Sequence, residues 1–393
     1  MNPDRRFLGL YALAWAGAAI AYTPFLTLLL PMHVDRLAGA DSVRWLALTT
    51  FVGAIGSSIA NIVFGWLSDR TGGRRIWVIS GLLLSSGLLC LMPMVRALPL
   101  LISLIVAWQI GLNMMLGPLS AWAGDRVPDG RKGMLGGLLA FAPASGALAG
   151  ALVTIPGLAD LPERFAIVAG IVVVCVMPLA LFGEDGRLDR PDNDAPPVTA
   201  AAKALLRAMA TRMWLARLLV QISEASLFAY FYLWFRRVDP TFADAGIARV
   251  LSLAMLIGAP TALLAGRWAD RRDRPVVPLA LASAGAAAGL VAMALANGRA
   301  EAIAGYLLFG LSTSVFLALH TAHTLRVLPD GARRGRDLGL FNLTNTIPSL
   351  VMPSLTLALV PSLGFEGLFV VLAVLALGAM VLLARSPETS THA

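Results

Sequence analysis

Long apolar runs, broken by short clusters of arginine and aspartate, organise the whole chain. They fall near residues 7–32, 42–64, 76–95, 98–122, 133–156 and 164–183, and after a polar stretch they resume near 211–235, 245–265, 276–296, 300–326, 338–360 and 364–384. A bilayer core about 30 Å thick requires about 20 apolar residues per crossing helix, so the pattern predicts twelve transmembrane helices. Strands are ruled out for such segments, since backbone amides cannot stay unpaired in hydrocarbon and the alternation of a membrane barrel is absent. The expected organisation is an all-α membrane protein with a six-helix bundle over 1–183, a cytoplasmic linker over 184–211 and a second six-helix bundle over 212–393. The linker ends in an alanine-rich stretch, 200–210, read as a short surface helix with Lys203 and Arg207 one turn apart.

Composition agrees with a lipid-solvated chain. Of 393 residues, 58% are hydrophobic and 14% charged, at a mean hydropathy of +0.77, too apolar for an ordinary soluble surface. Cys90 and Cys175 both lie in apolar runs, so no disulfide is expected. The N-terminal apolar run is longer than the core of a cleaved signal and is read as a first span that stays attached.

The net charge of +8 and pI near 10.3 would suggest nucleic acid in a soluble protein. The positions of the charges argue otherwise. With the N-terminus inside, the inner segments carry 22 Lys and Arg and the outer loops carry 8, a bias that orients membrane proteins. Both termini are therefore expected in the cytoplasm, and the basic pI reads as a topology signal rather than as nucleic-acid binding.

A repeat is also present. Gly65-Trp-Leu-Ser-Asp69-Arg70-Thr-Gly-Gly-Arg74-Arg75 follows span two, and Gly266-Arg-Trp-Ala-Asp270-Arg271-Arg272-Asp-Arg274 follows span eight. The two aspartates are 201 residues apart, as are Pro128 and Pro329 in Val127-Pro-Asp-Gly-Arg131-Lys132 and Leu328-Pro-Asp-Gly331. Two motifs at one offset near half the chain length mark a duplicated six-helix unit.

Twelve spans, a duplicated half and the Gly-x-x-x-Asp-Arg-x-Gly-x-Arg-Arg loop resemble the major facilitator superfamily over essentially the whole chain. The resemblance implies two helical bundles and a central path lined mainly by helices 1, 4, 7 and 10. It also implies a conformational latch at Gly65, Asp69, Arg70, Arg74, Arg75, Asp125, Arg126, Gly266, Asp270 and Arg271. In physical terms Gly65 allows close helix approach, Asp69 accepts from backbone amides at a helix N-terminus, and Arg70, Arg74 and Arg75 face anionic headgroups. The same residues could instead only anchor topology. More narrowly, Pro118-Leu-Ser-Ala-Trp-Ala-Gly-Asp125-Arg126 and Gly335-Arg-Asp337-Leu-Gly-Leu-Phe-Asn342-Leu-Thr-Asn345-Thr-Ile-Pro348 look like segments of sucrose/proton symporter relatives and other bacterial sugar permeases. That nearness implies the inner membrane of a bacterium. Drug/proton antiporters of the superfamily usually carry Gly-Pro-x-x-Gly-Gly in helix 5, where this chain has Ala142-Pro-Ala-Ser-Gly146-Ala147, which lowers the efflux reading.

Charges inside spans cost about 2.5–3.5 kcal/mol at a helix centre, which makes the few present informative. Span seven holds Arg217, Gln221 and Glu224 at i, i+4 and i+7, one helical face with the acid near the midpoint. Glu224 is read as the proton-coupling group or as a neutral acid bonded to a neighbouring helix. Span ten presents Phe309, Thr313, Phe316, His320 and His323 as one stripe expected to face the cavity. Span ten runs antiparallel to span seven, which puts His320 at nearly the depth of Arg217 and Glu224 level with Thr313. The histidines could serve as a proton relay, a polar gate or an interhelical hydrogen bond, and no acid or cysteine accompanies them to make a metal site. Tyr11, Trp15 and Tyr22 in span one, with Trp108, Gln109 and Asn113 in span four, supply aromatic faces and amides suited to a sugar, or plain core and interfacial packing. Asn342, Asn345 and Pro348 could form a hinge.

No paired acid and base, nucleophile or phosphate-binding loop suggests an enzyme, and no cofactor is implied. The expected function is a secondary transporter, read as a monomer, moving a small polar solute, first of all a sugar or polyol, in symport with protons. The alternative is proton-driven efflux of drugs or sugars.

Overall fold

A computed structural model of the chain describes residues 3–71, 73–127, 138–139, 141–183, 200–272, 276–327 and 334–384. Among them every regular element is helical: α1 (Pro3–Pro24), α2 (Leu30–Ala38), α3 (Ser42–Thr71), α4 (Arg75–Leu91), α5 (Leu98–Arg126), α6 (Ala142–Val153), α7 (Leu161–Phe182), α8 (Ala200–Val238), α9 (Asp244–Arg272), α10 (Val277–Ala294), α11 (Arg299–Val327) and α12 (Arg334–Ala384). Nine described segments are long and apolar enough to cross a membrane. One of them, Arg6–Thr71, contains two of the expected spans, and another, Ile347–Ala384, holds the span 364–384 and the later part of 338–360. Of the fifth expected span, 133–156, the regular helix described is the twelve-residue α6.

Two features break the regularity of helices. Pro24 and Pro31 each lack an amide donor, and between α1 and α2 the backbone widens into a π turn, Phe25–Leu29, in which the Leu30 amide donates to the Phe25 carbonyl. In α12, Gly364 adopts φ 68°, which divides the run into 334–363 and 365–384. Only glycine takes that conformation without a Cβ penalty.

Several helices outrun the hydropathy pattern. α3, α5 and α9 continue to Thr71, Arg126 and Arg272, so the charged loop motifs begin on helix rather than after it. Stretch 200–210 is continuous with span seven in the 39-residue α8 rather than a separate surface helix. No glycine or proline stands between Ala200 and Val238 to stop it.

The chain divides into two compact units, residues 1–190 with 243–252, and 191–242 with 253–393. In unit 1 the interior holds Tyr11, Phe25, Trp108, Trp122 and Phe165; in unit 2 it holds Tyr230, Phe231, Phe235, Phe316, Phe365 and Phe369. Corresponding helix pairs of the two units meet through glycine: a Cβ on Gly81 of α4 would collide with the Met115 backbone of α5, and one on Gly289 of α10 with the Phe309 backbone of α11. Small residues permit such backbone approach where lipid supplies no hydrophobic drive between helices. Side chains such as Ile62, Val174 and Leu264 point outward at 73%, 71% and 65% exposure, a surface that only acyl chains solvate well.

Candidate functional site

In unit 2 the polar face of α8 is met by α11 and α12. Gln221 Nε2 donates to Asn345 Oδ1 at 2.6 Å, and Arg217 donates to the same oxygen at 3.4 Å. His320 of α11 is fully buried, with Nε2 at 2.8 Å from the Met213 carbonyl and Nδ1 at 3.5 Å from Arg217. This arrangement suits the tautomer with hydrogen on Nε2, which donates to the carbonyl and leaves Nδ1 to accept from the guanidinium. Arg217 and His320 therefore meet at one depth, as the antiparallel register of their spans requires.

Two turns along α8, Glu224 is partly buried and makes no hydrogen bond among the described residues. Its charge lies within electrostatic reach of Arg217 and of Tyr306. Tyr306, buried on α11 with its ring centroid 4.3 Å from that of Phe231, was not among the expected site residues. It stands three positions before Phe309 and so begins the same stripe.

That stripe is more buried than expected. Phe309, Thr313, Phe316 and His320 are buried inside unit 2, and Phe316 packs in a core with Met213, Val220, Leu279 and Leu383. Phe316 thus fills the interior, and Thr313 Oγ1 donates to its own helix at Gly310 O, 3.2 Å. The side chain of His323 lies outside the described residues.

Packing also claims much of the expected aromatic and amide surface of unit 1. Tyr11 is 1% exposed, donates from its hydroxyl to the Leu119 carbonyl at 3.1 Å and stacks on Trp15 at 6.0 Å. Trp108, also 1% exposed, packs edge-on against Phe25 at 4.5 Å. Asn113 accepts from Asn61 and donates to Ser57 Oγ and the Gln109 carbonyl, joining α5 to α3. Trp15, Tyr22 and Gln109 are half-buried.

The first loop motif forms an ionic knot around a buried guanidinium. Arg74, expected at headgroups, is instead 6% exposed: Nε donates to Asp125 Oδ2 at 3.0 Å, NH1 to Ser68 Oγ at 2.5 Å, and NH2 to Asp69. A guanidinium with three groups of acceptors around it tolerates burial, whereas one facing lipid would not. Asp69 accepts from Arg74. Arg75 donates to the Gly183 carbonyl, Arg126 lies 6.0 Å from the Phe7 ring, and Arg70 lies over Trp66 at 5.4 Å. A Cβ on Gly65 would meet open space, but its backbone lies at a close approach of α3 and α5: a Cβ on Gly117 would come within 3.1 Å of the Asn61 carbonyl and 3.3 Å of the Gly65 amide nitrogen. In the second motif, a Cβ on Gly266 would meet Leu319 at 3.2 Å and Arg271 is exposed. The side chain of Asp270 and the loop residues 273–275 and 328–333 lie outside the described residues.

The Major Facilitator Superfamily profile matches residues 7–246 and again 213–393. The chain belongs to this superfamily. No curated protein sequence matches it. Among solved structures it is similar to a POT family transporter in complex with 5-aminolevulinic acid (TM-score 0.73, 16% identity, covering 98% of this chain and 96% of that one). It is similar too to a bacterial homologue of the human lysosomal transporter Spinster (0.69, 13%, 98% and 96%) and to the human organic anion transporter MFSD10 (0.67, 14%, 98% and 100%). At these identities the structures establish the fold. This major facilitator is thus a multi-pass integral membrane protein and a transporter, and the double match of the profile agrees with the repeat read from Asp69 and Asp270.

Proposed function

We propose that this major facilitator moves a small polar organic solute bearing an acidic group, by proton-coupled alternating access, with Glu224 as the group that loads and unloads the proton. The observation that carries this reading is the face of α8, where Arg217 and Gln221 converge on Asn345 and Glu224 stands two turns away with no hydrogen bond among the described residues. A guanidinium and an amide recognise a carboxylate or related anion. A carboxylate near mid-span, without a fixed partner, is free to exchange protons as its surroundings change. Two similar structures, one in complex with 5-aminolevulinic acid and one an organic anion transporter, support the choice of an acidic solute.

A sugar or polyol is the second reading, favoured by the half-buried Trp15, Tyr22 and Gln109; it is the weaker because Tyr11 and Trp108 are committed to packing. Both termini and the linker from 184 onward lie in the cytoplasm on this proposal, in a bacterial inner membrane, and the monomer is the working unit. The test is a panel of amino acids, keto acids, dicarboxylates and sugars presented to proteoliposomes carrying a pH gradient of either sign. Accumulation of an acidic solute supports the proposal, and its direction separates uptake from efflux. Accumulation of sugars alone would replace it with the second reading.

A further inference from the structure

Unit 2 has a crevice between α9, α10 and α11, lined by Thr261, Ala265 and Trp268, by Pro278 and Leu281, and by Leu311 and Val315, with a volume of about 360 Å³. Along α9 it runs seven residues, about 10 Å at the rise of a helix. Leu281, 63% exposed, forms a ridge between it and a second apolar crevice bounded by Val277, Ala280, Met380 and Leu383. All of these walls belong to helices long and apolar enough to span a membrane, so the medium that reaches them is acyl chain.

Beside the Trp268 end of the crevice, α9 carries exposed arginines. Trp268 is 38% exposed, and Arg267 and Arg271, one turn apart on α9, are both exposed, with no ion pair among the described residues. In sequence Arg271-Arg272-Asp273-Arg274 follows directly. Tryptophan at the edge of an apolar wall is the usual partner of the glycerol and ester level of a bilayer, where an amphipathic ring satisfies both its faces. Arginines on the adjoining turns of the helix meet the phosphate level and favour anionic headgroups.

We propose that this crevice is a binding site for one anionic phospholipid of the surrounding bilayer, an acyl chain lying along Thr261, Ala265 and Leu281 and the phosphate held by Arg267 and Arg271. The site gives Arg271 a role that does not depend on a latch at the second loop motif, and it is independent of the solute that the transporter carries.

The test titrates the delipidated full-length protein with dioleoylphosphatidylglycerol or dioleoylphosphatidylcholine and counts bound lipids by native mass spectrometry. The wild type is expected to bind the anionic lipid at least roughly tenfold more tightly. The double variant Arg267→Gln with Arg271→Gln should lose that preference while still binding both lipids weakly, which also shows that it is folded. Thr261→Phe, which fills the crevice, should weaken both. Arg70→Gln in unit 1 should keep the preference. Equal affinity of the wild type for the two lipids, or a preference that survives in the arginine double variant, would overturn the proposal. Loss of preference in Arg70→Gln alone would place the anionic lipid on unit 1 and overturn it as well.

Discussion

Gln221 Nε2 and Asn345 Oδ1 are joined by a 2.6 Å hydrogen bond between residues 124 positions apart in the chain. The bond fixes the amide of Gln221 and leaves Arg217 sharing the same acceptor. Asn345 therefore sets the geometry of the proposed anion-binding face without carrying charge itself.

Replacing it separates shape from charge. Asn345→Ala should lower kcat/KM for the transported solute about tenfold, since one neutral hydrogen bond is worth about 1 kcal/mol and the Arg217 guanidinium loses its register. Asn345 is exposed, so thermal stability should change little. Asn345→Asp offers Arg217 a competing carboxylate and should raise KM further. Proteoliposome uptake and a thermal unfolding scan check the pair, and a large stability loss with normal KM would show that the contact is purely structural.

In the first loop motif, the aspartates around Arg74 differ in burial: Asp69 is 57% exposed at its side chain and Asp125 22%, against 8% for Arg74. Asp69→Asn should cost less than about 1 kcal/mol of stability, as for exposed pairs. Arg74→Ala takes the buried guanidinium from Asp125, the less exposed of the two carboxylates, and should cost about 3 kcal/mol. If Asp69 acts as a latch, its substitution should still slow transport markedly, because the contact then weighs one state against another. Initial rates beside melting temperatures in detergent distinguish these effects.

The loop after α8 supplies a pH test outside the membrane. Asp239 accepts from the Thr241 hydroxyl at 2.6 Å and from Arg299 Nε at 2.7 Å, and these bonds hold its carboxyl down to about 2. A folded value below the unfolded one of about 3.9 contributes stability that is complete above about pH 4 and lost as the pH falls toward 2. Asp239→Asn should therefore lower the melting temperature by a constant amount between pH 5 and 8, with the difference from wild type shrinking below pH 4. A difference that grows across pH 5 to 8 would assign the effect to another group.

Helix positions are legible in the sequence because hydropathy, length and charge clustering all report one solvent, the bilayer. The shared face of Arg217, Gln221 and Glu224 follows from helical spacing alone, and the level of His320 from counting residues along antiparallel spans. What hydropathy misses is where helices continue into charge: α3 reaches Thr71 and α5 reaches Arg126, which brings Asp69 and Asp125 to the same guanidinium and buries Arg74. Nor can spacing say which face of α11 meets its own unit. Phe316 and His320 are buried there because Met213 and Val220 of α8 complete the core, a tertiary fact. Tyr306 was detectable as one further step of the stripe; Asn345, read as a hinge residue, was visible by type but not by partner.

Glu224 gives the decisive functional prediction. It is the one carboxylate the spacing places near the middle of α8, it shares a face with Gln221 and Arg217, and among the described residues no hydrogen bond pins it in one protonation state. Glu224→Gln keeps the shape and removes the titrating proton. The variant should lose accumulation driven by a pH gradient by at least tenfold while retaining solute binding and counterflow exchange, since exchange needs no net proton transfer. Tyr306→Phe, which removes the neighbouring hydroxyl and keeps the ring against Phe231, should shift the pH dependence of uptake without abolishing it. Undiminished accumulation in Glu224→Gln would mean that the proton travels elsewhere, with His320 the next group to replace; loss of binding together with coupling would make Glu224 a direct ligand of the solute.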